Sequence, residues 1–280
     1  MPCDLHLHST YSDGSLTPAA LIAEAARLGL SVALTDHNTV SGVPDFLAEA
    51  TRAGVSAVAG VELSAMAGPY ELHILGLFLP VDRLADVEAL TRDYHEKKSR
   101  SNRDLVARLA AGGYAISYEN VQKRSPLDNI NRAHVASELM ARGYVSSISE
   151  AFDSLLATDG PFYVPPELLT AVDAVRFLRS IRAVPVWAHP FLQMDEETVR
   201  ATLPPLMEAG LLGMEVQHCS YDDATIQRAA AIARDFGLLP SGGSDFHGAV
   251  KPDVRLGVGK GNLSVPDAWF DALRDKQQSL

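Results

Sequence analysis

Nine side chains in this sequence have the types and spacing of a metal site. His6 and His8 stand two apart in a short apolar run, so on a strand both point to one face. Asp13 follows in a Ser-Asp-Gly turn, His37 closes the run SVALTDH, Glu62 closes VSAVAGVE, and His73 lies within YELHILGLF. His189 ends VPVWAH, and Asp245 and His247 stand two apart after a Gly-Gly-Ser turn. A single histidine near a strand end is ordinarily a hydrogen-bonded core residue. Six of them with three carboxylates, and no cation to share, would leave many buried polar groups to satisfy. Nine donors are too many for one tetrahedral zinc. They suit two or three divalent cations sharing a bridging carboxylate, for which Glu62 is the natural candidate.

The elements that must position these residues follow from hydrophobic pattern and punctuation. Strands are expected over 3–8, 31–37, 55–64 and 70–79, with helices over 16–30 and 43–53 between them. Thr17 fits an N-cap, with Pro18 at the first helical position. The same rhythm resumes near Thr170. Helices are expected over 171–182, 196–209, 222–236 and 268–275, and strands over 184–189, 214–218 and 238–244. About seven strands connected this way imply parallel pairing under a cover of helices, enough to close a barrel. In such a barrel the strand C-termini converge on one face, where the chemistry sits. Residues 83–169 break the rhythm and read as helices over 84–111, 133–142 and 147–157. The domain reading is therefore a barrel from 1–82 and 170–280 with a mainly helical insertion, 83–169. Two α/β domains joined by helices are the alternative.

Composition narrows the function. The 280 residues carry 24 basic and 35 acidic side chains, a formal charge of −11, with 47% hydrophobic and 21% charged residues. That is core-forming material, neither disordered nor fibrous. No apolar run approaches the roughly 20 residues of a membrane span, and MPCDLHLHS lacks the basic-then-apolar pattern of a secretory signal. Two cysteines, Cys3 and Cys219, suit a reducing cytoplasm. The acidic balance argues against a protein that coats long duplex DNA. It leaves room for a small phosphorylated ligand if bound cations supply positive charge.

The runs DLHLHSTYSDGSLTP, ALTDHNT, AGVELSA, HILGLF, WAHP and SGGSDFHG resemble the PHP family, named for polymerase and histidinol phosphatase. They are most similar to its small stand-alone phosphoesterases, and the likeness covers roughly 1–80 and 184–261. It implies an α/β fold, a distorted (β/α)7 TIM-like barrel, around a trinuclear centre. By motif, His6, His8, Glu62 and Asp245 would hold one ion, and Glu62 with His73 and His189 a second. Asp13, His37 and His247 would hold a third, although several relatives carry histidine where Asp13 stands. The family carries manganese, zinc or iron, and nitrogen and oxygen donors without thiolate accept all three; manganese is the expectation here.

The activity that the resemblance implies is hydrolysis of the 3′-phosphate of nucleoside 3′,5′-bisphosphates, with trimming of short oligonucleotides from the 5′ end, by a hydroxide held between two cations. Asn131-Arg132-Ala133-His134 resembles the family's Gly-Arg-Pro-His segment, without its glycine and proline. Arg132 is expected to bind phosphate through two N–H groups at a helix N-terminus, and His134 to hydrogen-bond phosphate or protonate the leaving oxygen. Arg100 and Arg103, one turn apart, are candidates for a second phosphate, with Lys98 and Asn102 as weaker ones. Asp36 is expected to orient His37 or a neighbour, and Glu215 to act likewise. His218 ends a strand but matches no motif. Histidinol-phosphate phosphatase, a C–N hydrolase of the amidohydrolase type and a non-catalytic metal-binding module remain alternatives.

Overall fold

A computed structural model describes residues 2–124, 130–157 and 160–280. The chain runs through β1 (Pro2–Leu7), α1 (Pro18–Leu28), β2 (Ser31–Leu34), α2 (Val43–Ala53), β3 (Ala57–Ala67) and β4 (Tyr70–Leu77). Four helices follow, α3 (Leu84–Ala111), α4 (Tyr118–Gln122), α5 (Arg132–Ala141) and α6 (Ile148–Ser154). Then come β5 (Leu169–Thr170), α7 (Ala171–Ser180), β6 (Val184–Ala188), α8 (Glu196–Ala209) and β7 (Gly213–His218). The last elements are α9 (Asp223–Asp235), β8 (Leu239–Gly243), β9 (Val265–Pro266) and α10 (Asp267–Gln278). Two compact units result: Met1–Ala89 with Leu168–Leu280, and Leu90–Glu167.

The local signals in the first unit behave as their chemistry dictates. Thr17 accepts the Ala20 N–H at 3.3 Å and Pro18 opens α1, while Gly29 closes it at φ 65°, a left-handed turn that glycine adopts without strain. The strands form one sheet in the order β8-β7-β6-β4-β3-β2-β1-β9, with β5 paired to β3. Beyond β8, Leu7 forms a parallel bridge with Phe246, and His8 N–H donates to Phe246 O at 3.0 Å. The sheet thereby nearly closes on itself into a barrel.

One expectation is corrected. The helix-and-strand rhythm implied parallel pairing throughout, but β4 is antiparallel to both β3 and β6. Only Gly68 and Pro69 separate β3 from β4, too short for a crossover and sufficient for a hairpin. The reversal decides which end of β4 matters. Its N-terminal half lies beside the C-terminal half of β3, with Ser64 opposite His73.

The first unit's core includes Cys3 and Leu5 of β1, Leu75 and Leu77 of β4, Val184, Val186 and Ala188 of β6, and Phe270 and Leu273 of α10. The recurrence every second residue is the signature of strands facing an apolar interior.

The second unit has its own core, built from Leu105, Val106 and Leu109 of α3, Val121 of α4, Val135, Ala136 and Leu139 of α5, and Ala151 of α6. Its helices carry side-chain caps at Ser117, Asn131 and Ser147. Buried Glu138 accepts Arg124 Nε at 2.6 Å and Arg142 Nε at 2.7 Å.

Candidate metal centre

Every side chain that the sequence marks as a metal donor lies in the first unit. Their convergence depends on how strands end. His37 and Glu62 are joined by a parallel bridge just past β2. His189 follows β6 at φ 32°, Asp245 follows β8 at φ 52°, and Asn38, after His37, sits at φ 51°. Left-handed backbone at a non-glycine residue costs on the order of 1–3 kcal/mol. Here it recurs beside the same cluster. Gly243 permits the close approach of β8 to β1, since a Cβ there would stand 2.4 Å from His6 Cβ.

The centre is organised around one buried carboxylate. Glu62 Oε2 lies 3.1 Å from His6 Nε2, 3.2 Å from His8 Nε2 and 3.0 Å from His37 Nδ1. Its Oε1 lies 2.8 Å from His73 Nδ1 and 3.1 Å from His189 Nε2. Asp245 Oδ1 stands 3.3 Å from His8 Nε2, and Asp13 Oδ1 3.3 Å from His247 Nε2. The donor atoms fall into four overlapping groups: His8, Asp13, His37 and His247; His6, Glu62 and His189; His6, His8 and Asp245; His37, Glu62 and His73. This partition differs from the one implied by resemblance: Glu62 falls outside the group of His6, His8 and Asp245, and His6 and His37 each join a group that contains Glu62. His8 also joins the group around Asp13, and His73 and His189 fall into separate groups that both contain Glu62.

The residues fit divalent cations. Among the described residues, His6 Nε2, His8 Nδ1, His8 Nε2, His37 Nδ1 and Glu62 Oε2 are buried without a hydrogen-bond partner. Leaving such atoms dry and unpaired costs about 1–3 kcal/mol each. Yet Glu62 Oε2 lies roughly 3 Å from His6 Nε2, His8 Nε2 and His37 Nδ1, the spacing expected of neighbouring donors bound about 2.0–2.2 Å from a shared ion. The charges agree. Burial opposes ionisation of Glu62, but His37, His6 and His73 hold it well below the usual carboxylate range. Burial likewise opposes charge on His8 and His73, yet facing carboxylates push them up to about 9 and about 10. Burial wins at His37, which falls to about 3. Facing imidazoles thus favour the anionic forms of Glu62 and Asp245, and protons on His8 and His73 would have to yield to a cation.

A surrounding layer fixes these donors. Glu215 accepts from His6 Nδ1 across 2.9 Å and from His189 N–H at 2.7 Å, an orienting role of the kind expected. Asp36 does otherwise. It accepts Ser9 N–H at 2.7 Å, Ser9 Oγ–H at 2.6 Å and Ser12 Oγ–H at 2.6 Å, so it ties down the loop that carries Asp13. Asp4, unremarked in the sequence, is fully buried and accepts Ser244 N–H, Ser244 Oγ–H and Gly257 N–H. Sequence reasoning also missed Lys251, whose Nζ lies 2.7 Å from Asp245 Oδ2. His218 stands 3.4 Å from that same oxygen. Glu215 and His218 have opposite parity on β7, and a register shift between Glu215 and Gln217 brings both to the centre.

The residues expected to bind substrate lie in the second unit. Arg132 stacks 4.3 Å over Tyr163 and 5.4 Å from Phe152, with Nη1 donating to Leu156 O at 3.2 Å. His134 is the third residue of α5, and its Nδ1 accepts Asn131 N–H at 3.1 Å. That bond leaves the proton of the neutral ring on Nε2. Burial and Lys98 both lower the His134 pKa. Arg100 and Arg103 are exposed on α3, Arg103 stacking 4.4 Å over Tyr118. Asn102 is buried and donates to Ile130 O at 2.9 Å.

Comparison with known proteins adds independent findings. The PHP domain model matches residues 4–157. The 5′-3′ exoribonuclease Rnm of Escherichia coli is 30% identical over 259 residues, covering 91% of this chain and 87% of that protein. The 3′,5′-nucleoside bisphosphate phosphatase of Chromobacterium violaceum is 32% identical over 249 residues, covering 87% and 86%. A crystal structure described as a metal-dependent phosphoesterase from Bifidobacterium adolescentis superposes with TM-score 0.80 at 26% identity, covering 99% and 98% of the two chains.

Proposed function

The chain belongs to the PHP domain family, and on that footing we propose that this metal-dependent phosphoesterase releases the 3′-phosphate of nucleoside 3′,5′-bisphosphates and trims short oligonucleotides from their 5′ end. The observation that carries the reading is the sharing of one buried carboxylate, Glu62, by five imidazoles in overlapping donor groups. Such overlap suits two or three ions, manganese in our reading with zinc or iron as substitutes, rather than one. When bound, divalent cations lower the pKa of water and neutralise phosphoryl oxygens, so that an in-line displacement needs no serine or cysteine nucleophile.

The protein's own groups then have defined tasks. Following the resemblance, His6, His8, Glu62 and Asp245 would hold one ion, Glu62, His73 and His189 a second, and Asp13, His37 and His247 a third, with His6, His8 and His37 placed to be shared between neighbouring groups. Glu215 fixes the His6 ring through Nδ1, which leaves Nε2 directed at Glu62. We assign the second phosphate to Arg132, His134, Arg100 and Arg103, with Asn102 holding Ile130 in place. A neutral His134, its Nδ1 already accepting from the backbone, presents Nε2–H to a phosphate oxygen. Its lowered pKa favours this donor role over protonation of the leaving oxygen. No described helix is long and apolar enough to cross a membrane. The free, buried Cys3 and Cys219 suit a reducing cytoplasm.

The test is turnover of adenosine 3′,5′-bisphosphate, p-nitrophenyl phosphate and a 5′-phosphorylated tetranucleotide with added manganese. The bisphosphate should have a kcat/KM at least about 100-fold above the simple ester, the worth of a second charge-assisted phosphate contact. Equal or better turnover of the simple ester removes the bisphosphate assignment and leaves the phosphoesterase standing.

A further inference from the structure

Asp245 is held from two sides. Its Oδ1 faces the histidines, 3.3 Å from His8 Nε2 and 3.4 Å from His247 Nδ1. Its Oδ2 accepts from Lys251 Nζ at 2.7 Å and lies 3.4 Å from His218 Nε2. The direction of the second contact follows from the other side of the ring. Ser220 N–H donates to His218 Nδ1 at 3.2 Å, so the neutral imidazole carries its proton on Nε2 and donates it to Asp245. His218 is buried and packs 5.3 Å from the Tyr221 ring, whose hydroxyl accepts Phe191 N–H at 2.9 Å. Lys251 arrives from the short helical turn Gly248–Val250 beyond β8, which is pinned by Ala249 N–H donating to Ser15 Oγ at 2.7 Å. Neither residue belongs to a recognised run of metal donors.

We propose that Lys251 and His218 form a positioning clamp on the outer oxygen of Asp245, so that this carboxylate meets a divalent cation through Oδ1 alone. The inference rests on Asp245 being a metal ligand. A carboxylate can bind a cation through one oxygen or both. Two donors on Oδ2 remove the second mode, and they brace a backbone held at φ 52°. Plain electrostatics points the other way, because an ammonium 2.7 Å from a ligand oxygen repels the cation that ligand is meant to hold. Keeping a lysine there makes sense only if the geometry it enforces outweighs that repulsion. The two accounts therefore predict opposite signs.

The experiment titrates manganese into the metal-stripped full chain and follows free ion by electron paramagnetic resonance, with thermal melts as the check on folding. Lys251 is 38% exposed, so its substitution leaves the core intact. Lys251→Met should weaken the tightest manganese site about 10- to 100-fold, the usual consequence of removing a group that orients a metal ligand. Lys251→Arg, which keeps a donor and the charge, should stay within about threefold of the natural protein. His218→Ala should weaken the same site in the same direction. Unchanged or tighter manganese binding by Lys251→Met overturns the clamp. A raised KM with unchanged metal affinity also overturns it and makes Lys251 a substrate contact. A natural protein that binds manganese but ignores nucleoside bisphosphates removes the proposed substrate and leaves this readout intact.

Discussion

The metal centre and the arginines of the helical unit hold their charged side chains in opposite ways. At the centre, Glu62, Asp245, His6, His8 and His247 are buried and Asp13, His37, His73 and His189 half-buried, and residues far apart in sequence are brought within about 3 Å of Glu62 by strand ends and left-handed turns. In the helical unit, the guanidinium groups of Arg103 and Arg132 sit 4.4 and 4.3 Å over the rings of Tyr118 and Tyr163 of that same unit, and Arg100 is exposed. The first arrangement is costly without cations, since its nitrogens and oxygens have been dehydrated without partners. The second is stable alone. A group whose position is compensated only by a ligand should tolerate no change, whereas one already satisfied by its own unit should trade affinity gradually.

The largest effect tests the shared carboxylate. Glu62→Gln keeps the shape but removes the charge that five imidazoles face. It should lower kcat by on the order of 1,000-fold or more and reduce bound metal below one ion per chain in elemental analysis. Full metal content with near-normal turnover would erase the contrast between the two regions.

A smaller effect sharpens the picture of the centre. Without metal, His8 and His73 are raised to about 9 and about 10, so both are protonated near pH 7 and must lose that proton to bind a cation. Metal affinity should therefore rise with pH, by roughly tenfold per unit for each proton displaced, and level off above these values. Calorimetry in buffers of different ionisation heat should record at least about one proton released per chain at pH 7. Affinity flat across this range would mean that the imidazoles are neutral before metal arrives.

The smallest effect tests the helical unit. Arg132→Ala should raise KM for a nucleoside bisphosphate about 10- to 100-fold while leaving metal content and turnover of p-nitrophenyl phosphate nearly unchanged. Equal losses on both substrates would assign Arg132 to the scissile phosphate instead.

Much of this was legible in order of residues alone. Helices with clear punctuation were readable, as in α2, where the pattern spans 43–53 and Gly54 closes it at φ 66°. The antiparallel course of β4 was harder, because a run such as YELHILGLF looks the same whichever way it pairs. The pair His6 and His8 announced itself through strand periodicity. His218 did not, because a register shift within β7 breaks that periodicity between it and Glu215. Lys251 gave no signal at all, since a half-exposed lysine after a turn resembles any solvated surface lysine until its neighbour is known.

Sequence by itself determined the inventory: which donors exist, that they lie at the ends of β-rich runs, and that no thiolate is among the nine. Tertiary structure alone decided that five imidazoles face Glu62, the bridging carboxylate already expected from sequence, that Asp36 serves a serine loop, and that Asp245 has its outer oxygen occupied. The reason is physical. Donor chemistry and strand parity are properties of a residue and its near neighbours, whereas convergence to about 3 Å depends on sheet closure, hairpin reversal and register shifts, which sum contacts across the whole barrel.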